Sequence, residues 1–221
     1  MASNGWTRRE FLAVSAAVAA PSFIATAGDP AWHQRIRRWV QLNINERDAR
    51  DLNVDEWVDY WTSLKADGVT LNAGGIVAFY PTKIPYHHRS DYLGNRDLFG
   101  ELAVACKKRG LRVVARLDPN YAYQDAFGAH PDWFERDREG KPRTHAESYW
   151  LYRTCMFGPW YSEQIPAIIR EVNSRYDVDG FFTNGWPGSS LPGRCYCQSC
   201  RKQFGELPPE PRPSDRRYRS F

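Results

Sequence analysis

The sequence predicts an α/β fold with a parallel sheet: about four βα units, the amino-terminal half of a (β/α)8 TIM barrel, with a structural zinc loop after the fourth strand. Three observations carry this expectation. Short apolar runs alternate with helical patterns at the spacing of βα units. Long loops follow the strands, whereas the returns after helices are short, as at Ala66-Asp67-Gly68, Arg109-Gly110 and Asp177. In a barrel that asymmetry puts the functional loops together at the carboxyl ends of the strands. Finally, the 221-residue chain turns at Leu207 into Leu-Pro-Pro-Glu-Pro-Arg-Pro, which cannot continue a sheet and comes before the ~250 residues of a typical barrel. A doubly wound sheet would also place its site at strand ends, but no glycine-rich phosphate loop follows the first strand.

Residues 1–27 read as an export leader. Thr7-Arg8-Arg9-Glu10-Phe11-Leu12 and the alanine-rich stretch behind it have the order of a twin-arginine (Tat) signal. Ala25-Thr26-Ala27 offers small residues for cleavage after Ala27. The apolar region is too short to span a membrane. The alternative is an amphipathic N-terminal helix with incidental arginines. The expectation is passage through the Tat export machinery to the periplasm or outside, with no membrane attachment after cleavage.

In residues 28–205, Arg38–Asn45 alternates Trp39, Leu42 and Ile44 with polar residues and reads as the first strand. Asp55-Glu56-Trp57 opens a helix through Leu64, with Gly68 as its stop. Val69–Tyr80 is the second strand, loosened by Gly74-Gly75, and a turn-rich loop follows to Asp97. Leu98–Lys108 is a helix stopped by Gly110, and Leu111–Asp118 is the third strand. A long loop then carries Tyr121, Tyr123, His130, Trp133 and Trp150. Trp160–Tyr176 is a helix with an early Pro166, and Val178–Thr183 is the fourth strand. Residues 206–221, rich in Pro and Arg, are expected to be a disordered tail.

A modest net charge of +4, partly terminal (Arg8 and Arg9 in the leader, Arg212, Arg216, Arg217 and Arg219 in the last ten residues), and no basic stripe with interleaved aromatics in between, argue against nucleic acid as the main partner. Aromatics make up 14% of the chain, including nine Trp and twelve Tyr. That content demands a folded core and also suits stacking on sugar rings.

Cys195-Tyr-Cys197-Gln-Ser-Cys200 is a C-x-C-x-x-C run whose thiolates converge on one small volume. Cys155, in the loop entering the helix before the fourth strand, is the better fourth ligand. Cys106 falls on a helix face with Leu102 and Ala103 and reads as a small buried hydrophobe. Structural Zn²⁺ is the favoured reading. Disulfides are the alternative that export to an oxidising compartment supports, but a Tat substrate folds first and can load metal in the cytoplasm.

These residues resemble a known family. Cys155, the helix to Tyr176, Val178-Asp-Gly-Phe-Phe182 and the C-x-C-x-x-C run together resemble the first half of glycoside hydrolase barrels, including the family 42 β-galactosidases. The closer likeness is to the group called hypothetical glycosyl hydrolase 6. It rests on Phe79-Tyr80-Pro81-Thr82, Tyr86-His87-His88, Asp97-Leu98-Phe99 and Arg112–Asp118, and it covers roughly residues 33–205. The resemblance implies a (β/α)8 barrel acting on a glycosidic bond of a carbohydrate substrate. It also implies that Cys155, Cys195, Cys197 and Cys200 hold a structural zinc.

Hydrolysis of glycosidic bonds ordinarily takes two carboxyl groups. In family 42 a Glu after an Asn at the end of the fourth strand is the acid/base; here Asn184 is followed by Gly185. The later half of a barrel, which would bring the nucleophile, has no counterpart. The chain therefore reads as a truncated product, or as one that a second copy or another chain closes. The alternative function is an inactive or carbohydrate-binding barrel remnant. Among the carboxylates, Asp118 ends the third strand and is the candidate catalytic group; capping the Pro119-Asn120 turn is its equal alternative. Asp179, at the other end of its strand, reads as structural. Asn45, Tyr80, His87, His88, Asn184 and Trp186 are candidate sugar contacts, although adjacent His87 and His88 diverge in an extended segment.

Overall fold

The computed structural model describes residues 31–184 and 194–205, so the leader, Gly185, Trp186 and the tail lie outside the described residues. The chain divides into two units at Arg35; of the first, only a short helix α1 (Trp32–Arg35) is described.

The second unit is a mixed α/β fold. Its sheet comprises β1 (Trp39–Leu42), β2 (Gly68–Gly74), β3 (Arg112–Leu117) and β6 (Gly180–Thr183), in that spatial order and all parallel. Helices α2 (Asp48–Asp51) and α3 (Val54–Ser63) connect β1 to β2, and α4 (Leu98–Lys108) connects β2 to β3. Between β3 and β6 lie a hairpin of β4 (Tyr121–Tyr123) and β5 (Leu151–Arg153), the short α5 (Gln124–Ala129) and helix α6 (Ile165–Arg175). After β6 comes α7 (Gln198–Phe204). No helix among the described residues is long and apolar enough to cross a membrane.

Local chemistry sets the helix ends. Asn53 accepts from the Glu56 N–H to cap α3, and Asp97 accepts from the Gly100 N–H to cap α4. Gly110, at φ 77°, turns the chain out of α4. Pro166 has no N–H to give the entering turn. The segment Trp160–Gln164 is accordingly a wide π-type turn that leads into α6, rather than the uniform helix expected from Trp160 to Tyr176.

Alternation along the strands divides the sheet into two faces. Val69, Leu71 and Ala73 of β2, with Val113, Ala115 and Leu117 of β3, are buried in one core with Val58 and Trp61 of α3, Leu98, Phe99 and Leu102 of α4, and Ile168 and Val172 of α6. The opposite face is largely polar: Gln41, Thr70, Asn72 and Arg116, with Trp39 and Phe182 still exposed. Trp39 lies over Gly68, where a Cβ would strike its ring, and its indole N–H donates to Thr70 Oγ1 at 2.7 Å.

The second strand is shorter than the expected Val69–Tyr80. It ends at Gly74 because Gly75 takes φ 95° and packs its Cα against the Asp118 backbone. The β4–β5 hairpin replaces part of a stretch expected to be loop; its three-residue strands pair across about thirty positions, beyond the reach of local pattern.

At the amino ends of the strands, the Asp179 side chain is 7% exposed and gathers three donors at 2.7 Å: Lys107 Nζ, Arg112 Nη1 and the Val113 N–H. Burial opposes its ionisation, but these bonds outweigh burial and hold its carboxyl below the ordinary range. Asp179→Asn should cost about 1–3 kcal/mol at neutral pH. Because the folded value is depressed, this contribution is complete above the unfolded value near ~3.9 and is lost as pH falls through the folded value. Urea titrations at pH 7 and pH 3 check this: the difference from wild type should shrink at the lower pH.

Candidate functional site

The carboxyl ends of the four parallel strands carry two polar clusters. The first centres on Arg116 and Asp118, which share a face because they are two apart at the end of β3. Arg116 donates from Nε to Asp118 Oδ1 at 3.0 Å and lies 2.8 Å from Oδ2 through Nη2. Its Nη1 also donates to Asn43 Oδ1, just beyond β1, which receives Gln41 Nε2 at 2.7 Å. The Asn184 N–H, just beyond β6, donates to Asp118 Oδ1 at 3.3 Å. Asn72, paired in register with Arg116, keeps a buried Oδ1 without a partner among the described residues. Asp118 and Asn184 are thus brought together. The Asp118 side chain is spent on Arg116 and Asn184 rather than on capping the Pro119-Asn120 turn.

The second cluster joins three post-strand loops. Glu46, after β1, accepts His88 Nε2 at 2.9 Å on one oxygen and the Tyr123 hydroxyl at 2.7 Å on the other. The His88 ring stacks on Tyr123 with centroids 3.6 Å apart. Burial opposes ionisation of Glu46, but the bonds from His88 and Tyr123 outweigh it and lower its pKa. Burial, then Glu46, pushes the Tyr123 phenol up, so it remains protonated.

Three other candidate sugar contacts, Tyr80, His87 and Asn45, are engaged in hydrogen bonds within the chain. Tyr80 is fully buried and donates to Glu171 of α6 at 2.9 Å. His87, 4% exposed, accepts the Gly75 N–H at 3.0 Å through Nε2, and burial lowers its pKa to about 3. Asn45 folds its side chain onto the N–H groups of Arg47 and Asp48 to start α2. Adjacent His87 and His88 do diverge, one inward and one to the rim. Glu46, Tyr123 and Arg116 were missed. The spacing of Arg116 and Asp118 on one strand face was a usable signal; Glu46 had none, since its partners lie 42 and 77 residues away.

The cysteines converge. Ligand atoms of Cys155, Cys195, Cys197 and Cys200 all lie within 4.8 Å of one another, and Cys155 Sγ is 3.4 Å from Cys200 Sγ and 3.5 Å from Cys197 Sγ. All five cysteines are free, and Cys106 is buried in α4 away from this group. Four thiolates at about 2.3 Å from a central ion would stand about 3.8 Å apart, so the donor set fits a tetrahedral soft-metal site. Hydrogen bonds from Cys155 foremost favour the Cys197 thiolate, while Cys155 pushes Cys200 toward the thiol. The site ties Cys195–Cys200 to the loop before α6. Arg143 Nη2 to the Arg194 carbonyl and the Tyr196 N–H to the Arg136 carbonyl, both 2.9 Å, reinforce that tie.

A parallel βα sheet with its polar clusters at the strand carboxyl ends is the arrangement of glycoside hydrolase-like barrel proteins. The chain belongs to the family described as Hypothetical glycosyl hydrolase 6, whose profile matches residues 53–185. Among solved structures it is similar to alpha-L-fucosidase isoenzyme 2 from Paenibacillus thiaminolyticus, at 20% identity and TM-score 0.60, over 76% of this chain and 25% of that one. It is also similar to a hypothetical protein from Ruminiclostridium thermocellum, at 10% identity and TM-score 0.53, over 69% of this chain and 78% of that one. At these identities the likeness is one of fold. The chain thus spans about a quarter of the fucosidase's length. No curated protein matches the chain.

Proposed function

We propose that this is an exported carbohydrate-active protein that hydrolyses O-glycosyl bonds, with Asp118 as its carboxylate at the reacting centre. The observation that carries the reading is Asp118 itself: a carboxylate fixed on both oxygens at the carboxyl edge of a glycoside hydrolase-like sheet, with the Asn184 N–H beside it. Hydrolysis adds water across the bond, its oxygen going to the anomeric carbon and a proton to the departing oxygen. Asp118 would face the positive charge that develops at that carbon, and Arg116 would hold the carboxylate in place. Zinc at the four cysteines would be structural, closing the segment after β6. The relation to family 42, the Tat leader and closure of a half barrel by a second copy belong to the same proposal.

Turnover on a panel of nitrophenyl glycosides tests it. Asp118→Asn should lower kcat/KM by roughly 10²–10⁴-fold; unchanged turnover would remove Asp118 from the site. A second reading, a non-catalytic carbohydrate-binding barrel, is favoured by the complete engagement of Asp118 by Arg116. Absence of turnover on every glycoside would select it.

A further inference from the structure

The Glu46–His88–Tyr123 cluster lies beside exposed aromatic surface. Tyr123 ends β4 and pairs in register with Leu151 of β5, so Trp150 stands at the neighbouring position, close enough to bear on the Tyr123 phenol. Trp150 is 38% exposed and the adjoining Tyr149 is 75% exposed, their rings nearly perpendicular at 81° with centroids 5.2 Å apart. The result is an exposed aromatic corner beside Tyr123, on whose ring His88 stacks.

From this geometry we infer that Trp150, Tyr149 and His88 form a subsite for a neutral pyranose, with Glu46 and Tyr123 positioning His88. The inference rests on the carbohydrate reading above and names the place where the sugar sits. An aromatic ring offers the apolar face of a pyranose a flat, desolvated partner. With the Glu46 carboxylate accepting at Nε2, the His88 ring carries its proton there and leaves Nδ1 to accept a sugar hydroxyl. Nδ1 makes no hydrogen bond among the described residues. Both Glu46 oxygens are occupied, so the carboxylate orients the imidazole rather than meeting the ligand. Glu46 and the nearby Asp91 place negative charge around the subsite, which selects against phosphate-bearing ligands that could otherwise stack on the same rings.

The test is binding of D-galactose, D-glucose and L-fucose to the full chain, followed by saturation-transfer NMR and by tryptophan fluorescence. At least one sugar should bind, and Trp150→Ala and His88→Gln should each weaken it about tenfold. A phosphate on that sugar (at C6 of galactose or glucose, at C1 of fucose) should abolish binding. Glu46→Gln should weaken binding and change the His88 ring-nitrogen NMR shifts that report which nitrogen carries the proton, a signature that a merely structural carboxylate elsewhere would not give. Circular dichroism checks folding, and Trp150→Phe, which keeps a stacking face, should restore most of the affinity. Binding indifferent to both Trp150→Ala and His88→Gln overturns the subsite, as does binding to none of the three sugars. Asp118→Asn separates this from the hydrolase proposal. Loss of turnover in that variant with sugar binding intact supports both readings. Sugar binding lost in Asp118→Asn but unaffected by the rim variants retains the first and discards the second.

Discussion

On the proposed zinc site, Cys200→Ser should lower the metal content from about one ion per chain to almost none and loosen segment 194–205. The reason lies in how little else holds that segment. Helix α7 is seven residues long, too short to be stable alone. Its apolar contacts form a small cluster of Cys155, Cys197 and Cys200 with Phe157, Cys195 and Phe204, separate from the main core. Structural tetrathiolate sites contribute folding energy on the order of 10 kcal/mol of apparent binding, far more than the T-shaped Phe157–Phe204 contact can supply. Elemental analysis of protein purified without chelator, with hydrogen exchange over 194–205, checks the expectation. Cys106→Ser is the control: its thiol packs inside α4, where burial pushes it up to about 12, so zinc content should not change. Finding no metal and no titratable thiols would replace the metal site with disulfides.

Gly75→Ala, just beyond β2, should be strongly destabilising. Gly75 sits at φ 95°, which side chains rarely adopt. A Cβ there would fall on the Asp118 backbone, which cannot swing away because its N–H donates to the Gly74 carbonyl at 3.1 Å. Strain and overpacking together should cost about 3 kcal/mol. The methyl would also push Asp118 off Arg116 and loosen the His87 anchor on the Gly75 N–H, so turnover or sugar binding should fall with stability. Chemical denaturation measures the first effect and the glycoside assay the second. Gly128→Ala, in α5 with open space around its Cα, should instead be neutral or stabilise by a few tenths of a kcal/mol.

That contrast shows where the sequence was readable. The Gly74-Gly75 pair looks like a weak point in a strand. In three dimensions it is the seam where β2, β3 and the His87 loop come closest, and the glycines are there because no Cβ fits. His87 and His88 look equivalent on paper. Only the path of the loop decides that one ring is buried beneath Gly75 and the other stands at the rim against Glu46. Likewise Tyr80 ends an expected strand, yet the fold hands it to Glu171 on a helix 91 residues away.

The sequence by itself determined the alternation of strands and helices, the parallel sheet, the placement of Asp118 at a strand end and the convergence of the cysteines. Each of these follows from local periodicity, capping residues or ligand spacing, quantities that act over a few neighbouring positions. Tertiary structure alone decided that Glu46, His88 and Tyr123 meet, that Arg116 takes both oxygens of Asp118, and that residues 121–123 and 151–153 pair as a hairpin. Those contacts join residues whose distance along the chain exceeds any pattern's reach, and they exist only because the packed core fixes where each strand ends.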